Sequence, residues 1–292
     1  MGSAAAEIGG APAVSARTQV VAVIGDPIGH SLSPLIHNAG FAEVGLDWIC
    51  IALPVVGGGA LDAARAMRTF GLRGMSVTMP HKSDIVTGMD RLSEVASTLE
   101  SVNCVTLRDG ALLGDNTDGA GFLEGLRTDF DLDPAGADCV VLGAGGAARA
   151  VVLALAGAGA RSVRVVNRTP SRAERAAALG GPTATVGVVS DVAHADLVVN
   201  ATPVGMGTTA DGVAQLPLDP SVLHRGQVVA DLVYHPAETA LMLAARAAGA
   251  RSANGVSMLV HQAAIAFTHW TGVPAPVSAM TAAVRSALSS RD

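Results

Sequence analysis

The chain contains two successive runs in which short apolar segments, each long enough for one buried strand, alternate with segments of helical periodicity. Such alternation is typical of α/β domains built on a mostly parallel sheet. A polar stretch at residues 129–137 separates the two runs. The length of 292 residues accommodates two modest domains, and a composition that is 50% hydrophobic suffices for two cores. We therefore predict a two-domain α/β protein.

The periodicity also predicts where the individual elements lie. Strands are expected at residues 20–24, 48–53, 74–78, 102–107, 139–142, 162–166, 197–199 and 228–232. Helices are expected at residues 34–44, 60–70, 117–127, 147–157, 171–179, 238–248, 256–268 and 277–288. No strand follows the last two helices, so we expect them to pack back on the first domain.

These elements divide the chain into a tail and two domains. The first residues are rich in Ala, Gly and Ser and have no apolar periodicity, which is typical of a disordered segment. The predicted parts are a disordered tail at 1–18, a first domain at 19–128 that includes C-terminal helices within 257–292, and a second domain at 129–256. We expect a ligand-binding cleft between the two domains.

Composition and charge disfavour several classes of protein. The net charge of −6 and the lack of a long basic run argue against nucleic acid as a partner. The longest apolar stretch, residues 150–160, is shorter than the roughly 20 residues of a membrane span. Three widely spaced cysteines without a C-x-x-C pair argue against a disulfide framework or a metal site. Residues 1–18 lack signal-peptide features, so we expect a cytoplasmic protein.

A glycine-rich loop follows the first strand of the second run. The loop, GAGGAAR at residues 143–149, leads directly into a helix, which is the context that a dinucleotide-binding loop requires. The glycines permit a tight turn and a close approach of pyrophosphate, and the helix start offers free N–H groups. A tight turn for packing alone is the alternative. We predict a doubly wound, Rossmann-like domain whose cofactor contacts include Gly143, Ala144, Gly145, Gly146 and Ala147.

The end of the next strand indicates which dinucleotide binds. A site for NAD usually has Asp or Glu there, to accept hydrogen bonds from the ribose hydroxyls. This chain has Asn167, Arg168 and Thr169 instead, with Arg172 one turn later. Arg168 is placed to bind a 2′-phosphate, because its planar fork contacts two oxygens together. We predict NADP as the cofactor; the alternative is that the arginines are ordinary solvated residues at a helix start.

Three segments of the first run also carry polar side chains that suit a ligand site. The Ser31 and Ser33 hydroxyls suit a carboxylate, although Ser33 could instead cap the next helix. Lys82 suits acid/base chemistry or anion binding, although a lone lysine at a strand end is more often a surface residue. Asp118, beside the plausible helix cap Thr117, is a candidate partner for Lys82. A Lys–Asp pair in a cleft can exchange protons with a substrate hydroxyl.

Eight short motifs form an ordered set along the chain. They are GDPIGHSLSP (25–34), VTMPHK (77–82), SVNCV (101–105), GDNTDG (114–119), GAGGAAR (143–149), NRT (167–169), DLVYHP (231–236) and MLVHQA (258–263). Each is weak alone, but the set in this order resembles the shikimate dehydrogenase family over residues 20–262. The resemblance implies that NADPH reduces 3-dehydroshikimate to shikimate, in the biosynthesis of aromatic amino acids.

The resemblance also implies roles for individual residues. Lys82 and Asp118 are the implied catalytic pair. The implied contacts of the substrate are Ser31 and Ser33 with its carboxylate, Tyr234 nearby, and Thr78, Asn103 and Gln262 with its ring hydroxyls. Gly255 is implied to lie near the nicotinamide. Without the resemblance, Asn103 is a strand-end cap, Tyr234 a core residue and Gln262 a polar position on a buried helix.

One position departs from the family pattern. Many members have Asn where this chain has Ser76, so strict specificity for shikimate is open. Ser33 favours shikimate, since relatives that accept quinate often have Thr there. Two alternatives follow: a quinate/shikimate dehydrogenase that uses NAD, and a catalytically silent NADP-binding sensor. In each case the expected partners are small molecules, and the protein is expected to be a monomer or a homodimer.

Overall fold

A computed structural model describes residues 14–206 and 216–289. Most of the predicted disordered tail, residues 1–13, lies outside the described residues. Residues 15–18 of this segment form a turn, in which the Thr18 amide donates to the Ser15 carbonyl at 3.2 Å. The Ser15 amide donates to Thr18 Oγ1 at 2.8 Å, and Thr18 Oγ1 donates to Asp47 Oδ1 at 2.6 Å. This bond ties the turn to the start of the first domain.

The first domain contains a six-stranded mixed sheet. Its strands are β1 (Gln19–Gly25), β2 (Trp48–Pro54), β3 (Gly74–Val77), β4 (Arg91–Leu92), β5 (Cys104–Arg108) and β6 (Ala111–Asp115). They lie in the order β2-β1-β3-β5-β6-β4. β1 runs parallel to β2 and β3, and β4 runs parallel to β6, whereas β5 is antiparallel to both of its neighbours. The sheet is thus mostly parallel, with a hairpin that periodicity did not predict.

The β5–β6 hairpin turns through two residues of positive φ. Asp109 has φ 52° and Gly110 has φ 77°, which is the geometry that matches the twist of a tight hairpin. An Asp-Gly pair between apolar runs is itself a hairpin signal, so the sequence contained what was needed to predict β6. The hairpin brings the end of β6 next to the start of β5, and this places Asp115 opposite Cys104.

The second domain contains a six-stranded sheet in which every pair is parallel. Its strands are β7 (Asp138–Leu142), β8 (Ser162–Val166), β9 (Ala184–Val186), β10 (Leu197–Asn200), β11 (Val228–Asp231) and β12 (Arg251–Ala253). The order is β12-β11-β10-β7-β8-β9. This is the doubly wound dinucleotide-binding order, so the predicted Rossmann-like fold is confirmed. The strand order reverses between β7 and β10, and ligands of such sheets bind there, beyond the carboxyl ends of the strands.

Nine α-helices cover the sheets within the described residues. They are α1 (Ser33–Glu43), α2 (Ala60–Phe70), α3 (Glu94–Leu99), α4 (Asp118–Phe130), α5 (Gly146–Gly157), α6 (Pro170–Ala178), α7 (Ala240–Ala247), α8 (Val256–Thr271) and α9 (Val277–Ser289). α1, α8 and α9 share one core around Phe41, Phe267 and Trp270 against the first sheet. Gly74 admits the Trp270 ring, because a Cβ there would lie 2.4 Å from it.

None of the described helices is long and apolar enough to cross a membrane.

Helices α4 and α8 cross at short range because two glycines of α4 face α8. A Cβ on Gly121 would lie 2.6 Å from the Gln262 amide nitrogen, and one on Gly125 would lie 3.1 Å from that of Met258. The Thr117 hydroxyl, at the start of α4, donates to the Gln262 carbonyl at 3.1 Å. The crossing therefore fixes Gln262 beside the first turn of α4.

Candidate active site

A cavity of about 230 Å³ lies where the carboxyl ends of the first sheet face the second domain. All eight residues predicted to bind or transform the substrate line it: Ser31, Ser33, Thr78, Lys82, Asn103, Asp118, Tyr234 and Gln262. Ser76 lines the same cavity, with Leu232, Met258 and Leu259 among its apolar residues. Ala147, from the glycine-rich loop, reaches it as well. Distant segments of the chain thus converge on one polar cavity.

Lys82 and Asp118 form an ion pair inside this cavity. Lys82 Nζ donates to Asp118 Oδ2 at 2.6 Å, and the side chains are 24% and 9% exposed. Asn103 Nδ2 donates to the other carboxylate oxygen, Oδ1, at 2.7 Å. Both oxygens of Asp118 are therefore engaged, and the carboxylate holds the ammonium group in one orientation. An oriented ammonium group can donate a proton to a substrate oxygen.

A buried network around Asn103 holds this pair in place. Asn103 Oδ1 accepts from the Thr117 amide at 2.8 Å, and its Nδ2 also donates to Thr117 Oγ1 at 3.1 Å. Thr117 is the N-cap of α4 by position, as predicted, but its side chain makes no capping hydrogen bond. Both N–H donors of Asn103 are thus used within the protein, so its contribution to the site includes orienting Asp118. Sequence reasoning missed this function of Thr117.

Ser31 and Ser33 lie at the amino end of α1. Ser33 is the first residue of the helix and Leu32 is the N-cap, so the alternative that Ser33 caps the helix is wrong. The Ser33 amide donates to Ser31 Oγ at 3.2 Å, which fixes the two residues relative to each other. A helix amino end carries a partial positive charge, which favours a carboxylate. The arrangement suits the anionic end of a small acid.

Lys82 is the only lysine among the 19 lysine and arginine residues of the chain. The other 18 are arginines, whose guanidinium does not give up its proton in proteins. A lysine ammonium can exchange its proton. Of these 19 cationic residues, the one with this property is the one that pairs with Asp118 in the cavity.

A second cavity, of about 760 Å³, lies over the carboxyl ends of β7, β8 and β10. It is lined by most of the predicted cofactor residues: Gly143, Ala144, Gly145, Asn167, Arg168, Thr169 and Arg172. Sequence reasoning missed Thr202, Pro203 and Val204, which follow β10 at the reversal of strand order. The end of β10 at Asn200 was the signal that could have indicated them, because the strand order reverses between β7 and β10 and ligands bind beyond the ends of these strands.

The glycine-rich loop has the shape that a dinucleotide requires. Gly143 has φ +109°, and a Cβ there would lie 2.9 Å from the Ala201 carbonyl oxygen, so only glycine fits. A Cβ on Gly145 would meet nothing within 4 Å, so this face of the loop is open. No described side chain caps α5, which leaves its first N–H groups for a phosphate. Ala148, at the usual third glycine, is fully buried.

The outer part of the second cavity is cationic. Arg168, Thr169 and Arg172 are exposed at its edge, just beyond β8. None of the described residues that line the cavity is acidic. This charge suits a phosphate on the ribose better than the hydroxyl of NAD.

Three predicted cofactor residues lie elsewhere. Ala147 lines the first cavity, so the loop ends between the two cavities. Gly146 begins α5 and lines neither cavity. Gly255 also lines neither; it lies at the start of α8, where a Cβ would come within 2.2 Å of the Leu232 carbonyl oxygen. Leu232 lines the first cavity, so Gly255 permits the packing behind that wall.

Among the described residues, no group of three or more His, Cys, Asp or Glu side chains could hold a metal ion. Cys50, Cys104 and Cys139 are free and buried, and burial raises the pKa of the Cys50 and Cys139 thiols to about 12.

Comparisons with known proteins agree with this geometry. Three family models match the chain: the shikimate dehydrogenase substrate binding domain at residues 23–105, shikimate / quinate 5-dehydrogenase at 127–207, and the shikimate 5′-dehydrogenase C-terminal domain at 255–285. Both sheets and both cavities are thus represented in the matched regions.

Individual relatives extend over nearly the full length. A curated shikimate dehydrogenase (NADP(+)) from Moorella thermoacetica is 45% identical over 285 residues, which cover 94% of this chain and 95% of that protein. Shikimate 5-dehydrogenase from Thermus thermophilus, crystallised with NADP(H) and shikimate, has a TM-score of 0.84 at 35% identity over 92% of this chain and 100% of its own. Quinate dehydrogenase from Corynebacterium glutamicum, in complex with NAD, has a TM-score of 0.85 at 31% identity over 92% and 99%. The chain therefore belongs to the shikimate dehydrogenase family.

Proposed function

We propose that this oxidoreductase interconverts 3-dehydroshikimate and shikimate with NADP(H), as a step in the biosynthesis of aromatic amino acids. The observation that carries the proposal is the Lys82–Asp118 pair, 2.6 Å apart, in a cavity that Ala147 of the dinucleotide loop also lines. A pair that handles protons therefore lies next to a loop that fits a dinucleotide. The curated NADP-dependent relatives support the same conclusion.

We assign substrate binding to the polar residues of the first cavity, of about 230 Å³, which we call the substrate cavity. The Ser31 and Ser33 hydroxyls donate to the carboxylate at the amino end of α1, with Tyr234 nearby. Thr78 and Gln262 contact ring hydroxyls, and Asn103 holds Asp118 in position. All of these residues line the cavity, and several neutral donors suit a small acid with several hydroxyls.

In the direction of reduction, Lys82 Nζ donates a proton to the ketone oxygen as it becomes an alkoxide. NADPH, when bound in the cavity beside the glycine-rich loop, would supply the hydride for the carbonyl carbon. Asp118 keeps Lys82 oriented and stabilises its ammonium form before the transfer. Lys82 is 24% exposed and can regain its proton from solvent. In the direction of oxidation, neutral Lys82 accepts the hydroxyl proton.

We assign the cofactor to the second cavity, of about 760 Å³, which we call the cofactor cavity. The first N–H groups of α5 bind the pyrophosphate, and Gly143, Ala144 and Gly145 allow it to approach the backbone. Arg168 binds the 2′-phosphate, with Asn167, Thr169 and Arg172 around it. Gly146, Ala147 and Gly255 support the loop and the cavity walls.

A second candidate is a dehydrogenase that also accepts quinate. Ser76 favours it, because a serine in the cavity wall leaves more room than asparagine, and quinate carries one more hydroxyl on its ring. Arg168 and the absence of an acidic side chain among the described lining residues disfavour NAD for either substrate.

We further propose the division of the chain into a substrate-binding domain, residues 19–128 with helices within 257–292, and a cofactor-binding domain, residues 129–256. A cytoplasmic location suits a biosynthetic enzyme that uses NADPH. A monomer or a homodimer stays the expected assembly, and sedimentation of the purified protein would distinguish them.

The test is the initial rate of cofactor reduction by purified protein with shikimate or quinate, each with NADP⁺ or NAD. We expect the highest kcat/KM for shikimate with NADP⁺. A preference for quinate or NAD would replace the proposal with the second candidate. Binding of NADP⁺ without turnover of either acid would indicate a silent sensor.

A further inference from the structure

Asn200 and Asp231 are the last residues of β10 and β11, and they face each other across the two parallel strands. Their side chains are 0% and 1% exposed, and Asn200 Nδ2 donates to Asp231 Oδ1 at 2.8 Å. Neither residue lines the substrate cavity or the cofactor cavity. We propose that this pair is a positioning device that couples the cofactor cavity to the substrate cavity. The inference rests on the proposed function.

On one side, Asn200 holds the loop that lines the cofactor cavity. Its Oδ1 accepts from the Thr202 amide at 3.1 Å and from Thr202 Oγ1 at 2.7 Å. Its Nδ2 donates to the Val204 carbonyl at 3.2 Å, and the Val204 amide donates back to Thr202 Oγ1 at 3.2 Å. Thr202 and Val204 both line the cofactor cavity. The conformation of that wall therefore depends on the Asn200 amide.

On the other side, Asp231 holds the segment that carries Tyr234. Its Oδ1 accepts from the Val233 amide at 3.1 Å, and its Oδ2 accepts from Thr239 Oγ1 at 2.7 Å. Thr239 is the N-cap of α7, so the bond anchors the end of the segment to a helix. Tyr234, next to Val233, lines the substrate cavity. The position of that wall depends on the Asp231 carboxylate.

The two halves are joined by bonds that cannot be changed independently. Asn200 uses its amide oxygen and nitrogen on one loop while it donates to Asp231, so a rotation of its side chain breaks bonds on both sides. Buried groups that lose a partner cost more than exposed ones, because no water replaces the bond. Burial raises the pKa of Asp231, and the hydrogen bonds from Thr239, Val233 and Asn200 oppose that rise. A cofactor that orders the loop with Thr202 and Val204 therefore also orders the segment that carries Tyr234.

The test is a pair of crossed KM measurements. Asn200→Ala is expected to raise the KM for shikimate about tenfold. Asp231→Ala is expected to raise the KM for NADP⁺ by a similar factor. An effect of this size is typical of the coupling between two binding sites. Each variant thus affects the cavity on the far side of the pair. Asp231→Asn keeps the acceptor for Asn200 and Val233, so it is expected to stay within about threefold of the wild type.

Gln227→Ala is the matched control. Gln227 is buried just before the opposite end of β11, where its Nε2 donates to Val192 O at 2.6 Å, and it lines neither cavity. Its loss is expected to lower Tm without changing either KM. If an alanine variant of the pair does not fold, Thr239→Val removes one bond to Asp231 and is expected to raise both KM values by a smaller factor.

The outcomes separate the two proposals. If Asn200→Ala changes only the KM for NADP⁺ and Asp231→Ala only that for shikimate, the coupling is absent and the inference is wrong. The same holds if Gln227→Ala raises both KM values as much as the pair variants do. If the wild-type protein does not oxidise shikimate with NADP⁺, the proposed function fails first.

Discussion

The substrate cavity and the cofactor cavity are built in opposite ways. In the substrate cavity, Lys82 and Asn103 both donate to Asp118, whose side chain is only 9% exposed. In the cofactor cavity, Arg168 and Arg172 are exposed at the edge, and the open face of the loop presents backbone N–H groups. One site holds its reacting groups in position before the ligand arrives, and the other presents exposed groups to the ligand.

The difference follows from the chemistry that each site performs. A proton transfer requires the donor and the acceptor to be aligned, so bonds within the protein that fix Lys82 reduce the cost of reaching the transition state. A phosphate is held by charge and by several donors, and flexible arginines at the surface suffice. We therefore expect substitutions in the substrate cavity to lower kcat, and substitutions in the cofactor cavity to raise KM.

The largest expected effect is that of Lys82→Arg. The substitution keeps the positive charge beside Asp118 but replaces a group that exchanges a proton with one that does not. We expect kcat to fall about 1,000-fold, within the range for the loss of a general acid. Steady-state rates with shikimate and NADP⁺ measure it, and thermal unfolding checks that the fold is retained. A kcat within tenfold of the wild type would remove Lys82 from the proton transfer.

Arg168→Ala is expected to have the next largest effect. Loss of charge-assisted bonds to the 2′-phosphate is expected to raise the KM for NADP⁺ about thirtyfold and to leave kcat nearly unchanged. The KM for NAD should not change, because NAD lacks that phosphate. Arg175→Ala is the control, since Arg175 is exposed on α6, the helix that follows Arg168, but does not line the cavity. Equal effects of the two variants would contradict a specific contact.

The support beneath the substrate cavity is expected to weaken in acid. His37, on the helix that begins at Ser33, is fully buried between Phe41 and Trp270, and neither ring nitrogen has a described hydrogen-bond partner. Burial lowers the pKa of His37 to about 3 from 6.5. Below pH 6.5 the unfolded chain therefore binds a proton at His37, whereas the folded chain does not. The free energy of unfolding decreases as pH falls from 6.5 toward 3.

By pH 5 the expected loss from His37 is about 2 kcal/mol in the free energy of unfolding. Chemical denaturation of the wild type and of His37→Leu at pH 7 and pH 5 measures it. The variant should lose less stability between the two pH values, because leucine binds no proton. Equal losses in the two proteins would show that other groups dominate the acid response.

Ser76→Asn is expected to have the smallest effect. Asparagine is larger and adds an amide to the cavity wall, so we expect the ratio of kcat/KM for shikimate to that for quinate to rise about fivefold, the value of one hydrogen bond. Ser76→Ala removes the hydroxyl without adding an amide and should not raise the ratio. A fall in the ratio for Ser76→Asn would mean that Ser76 already favours shikimate.

Much of the site could be predicted because its residues follow strand ends. Ser31, Thr78 and Lys82 come after β1 and β3, and the carboxyl ends of parallel strands meet at one edge of a sheet. The glycine-rich loop was predictable for the same reason, since its position between β7 and α5 is local in sequence. Local patterns thus placed the residues on the correct walls.

The bonding within the site could not be predicted in the same way. Asn103 and Thr117 are 14 residues apart and bond because the β5–β6 hairpin folds back, while Thr117 reaches Gln262 across 145 residues. The Asn200–Asp231 pair depends on the register of two strands. The short strands β9 and β12 have three residues each, too few for a periodic pattern. The predicted cap at Ser33 failed because the helix begins one residue earlier than its proline suggests.

The central claim is that a substrate site with pre-positioned side chains and a cofactor site with exposed groups meet at Ala147. A crystal structure of the protein with shikimate and NADP⁺ tests it most directly. The account predicts the shikimate carboxylate on Ser31 and Ser33, a ring hydroxyl within hydrogen-bonding distance of Lys82 Nζ, and the 2′-phosphate on Arg168, with Lys82 and Asp118 still paired. A carboxylate bound elsewhere, or a nicotinamide that does not reach the carbon beside Lys82, would contradict it.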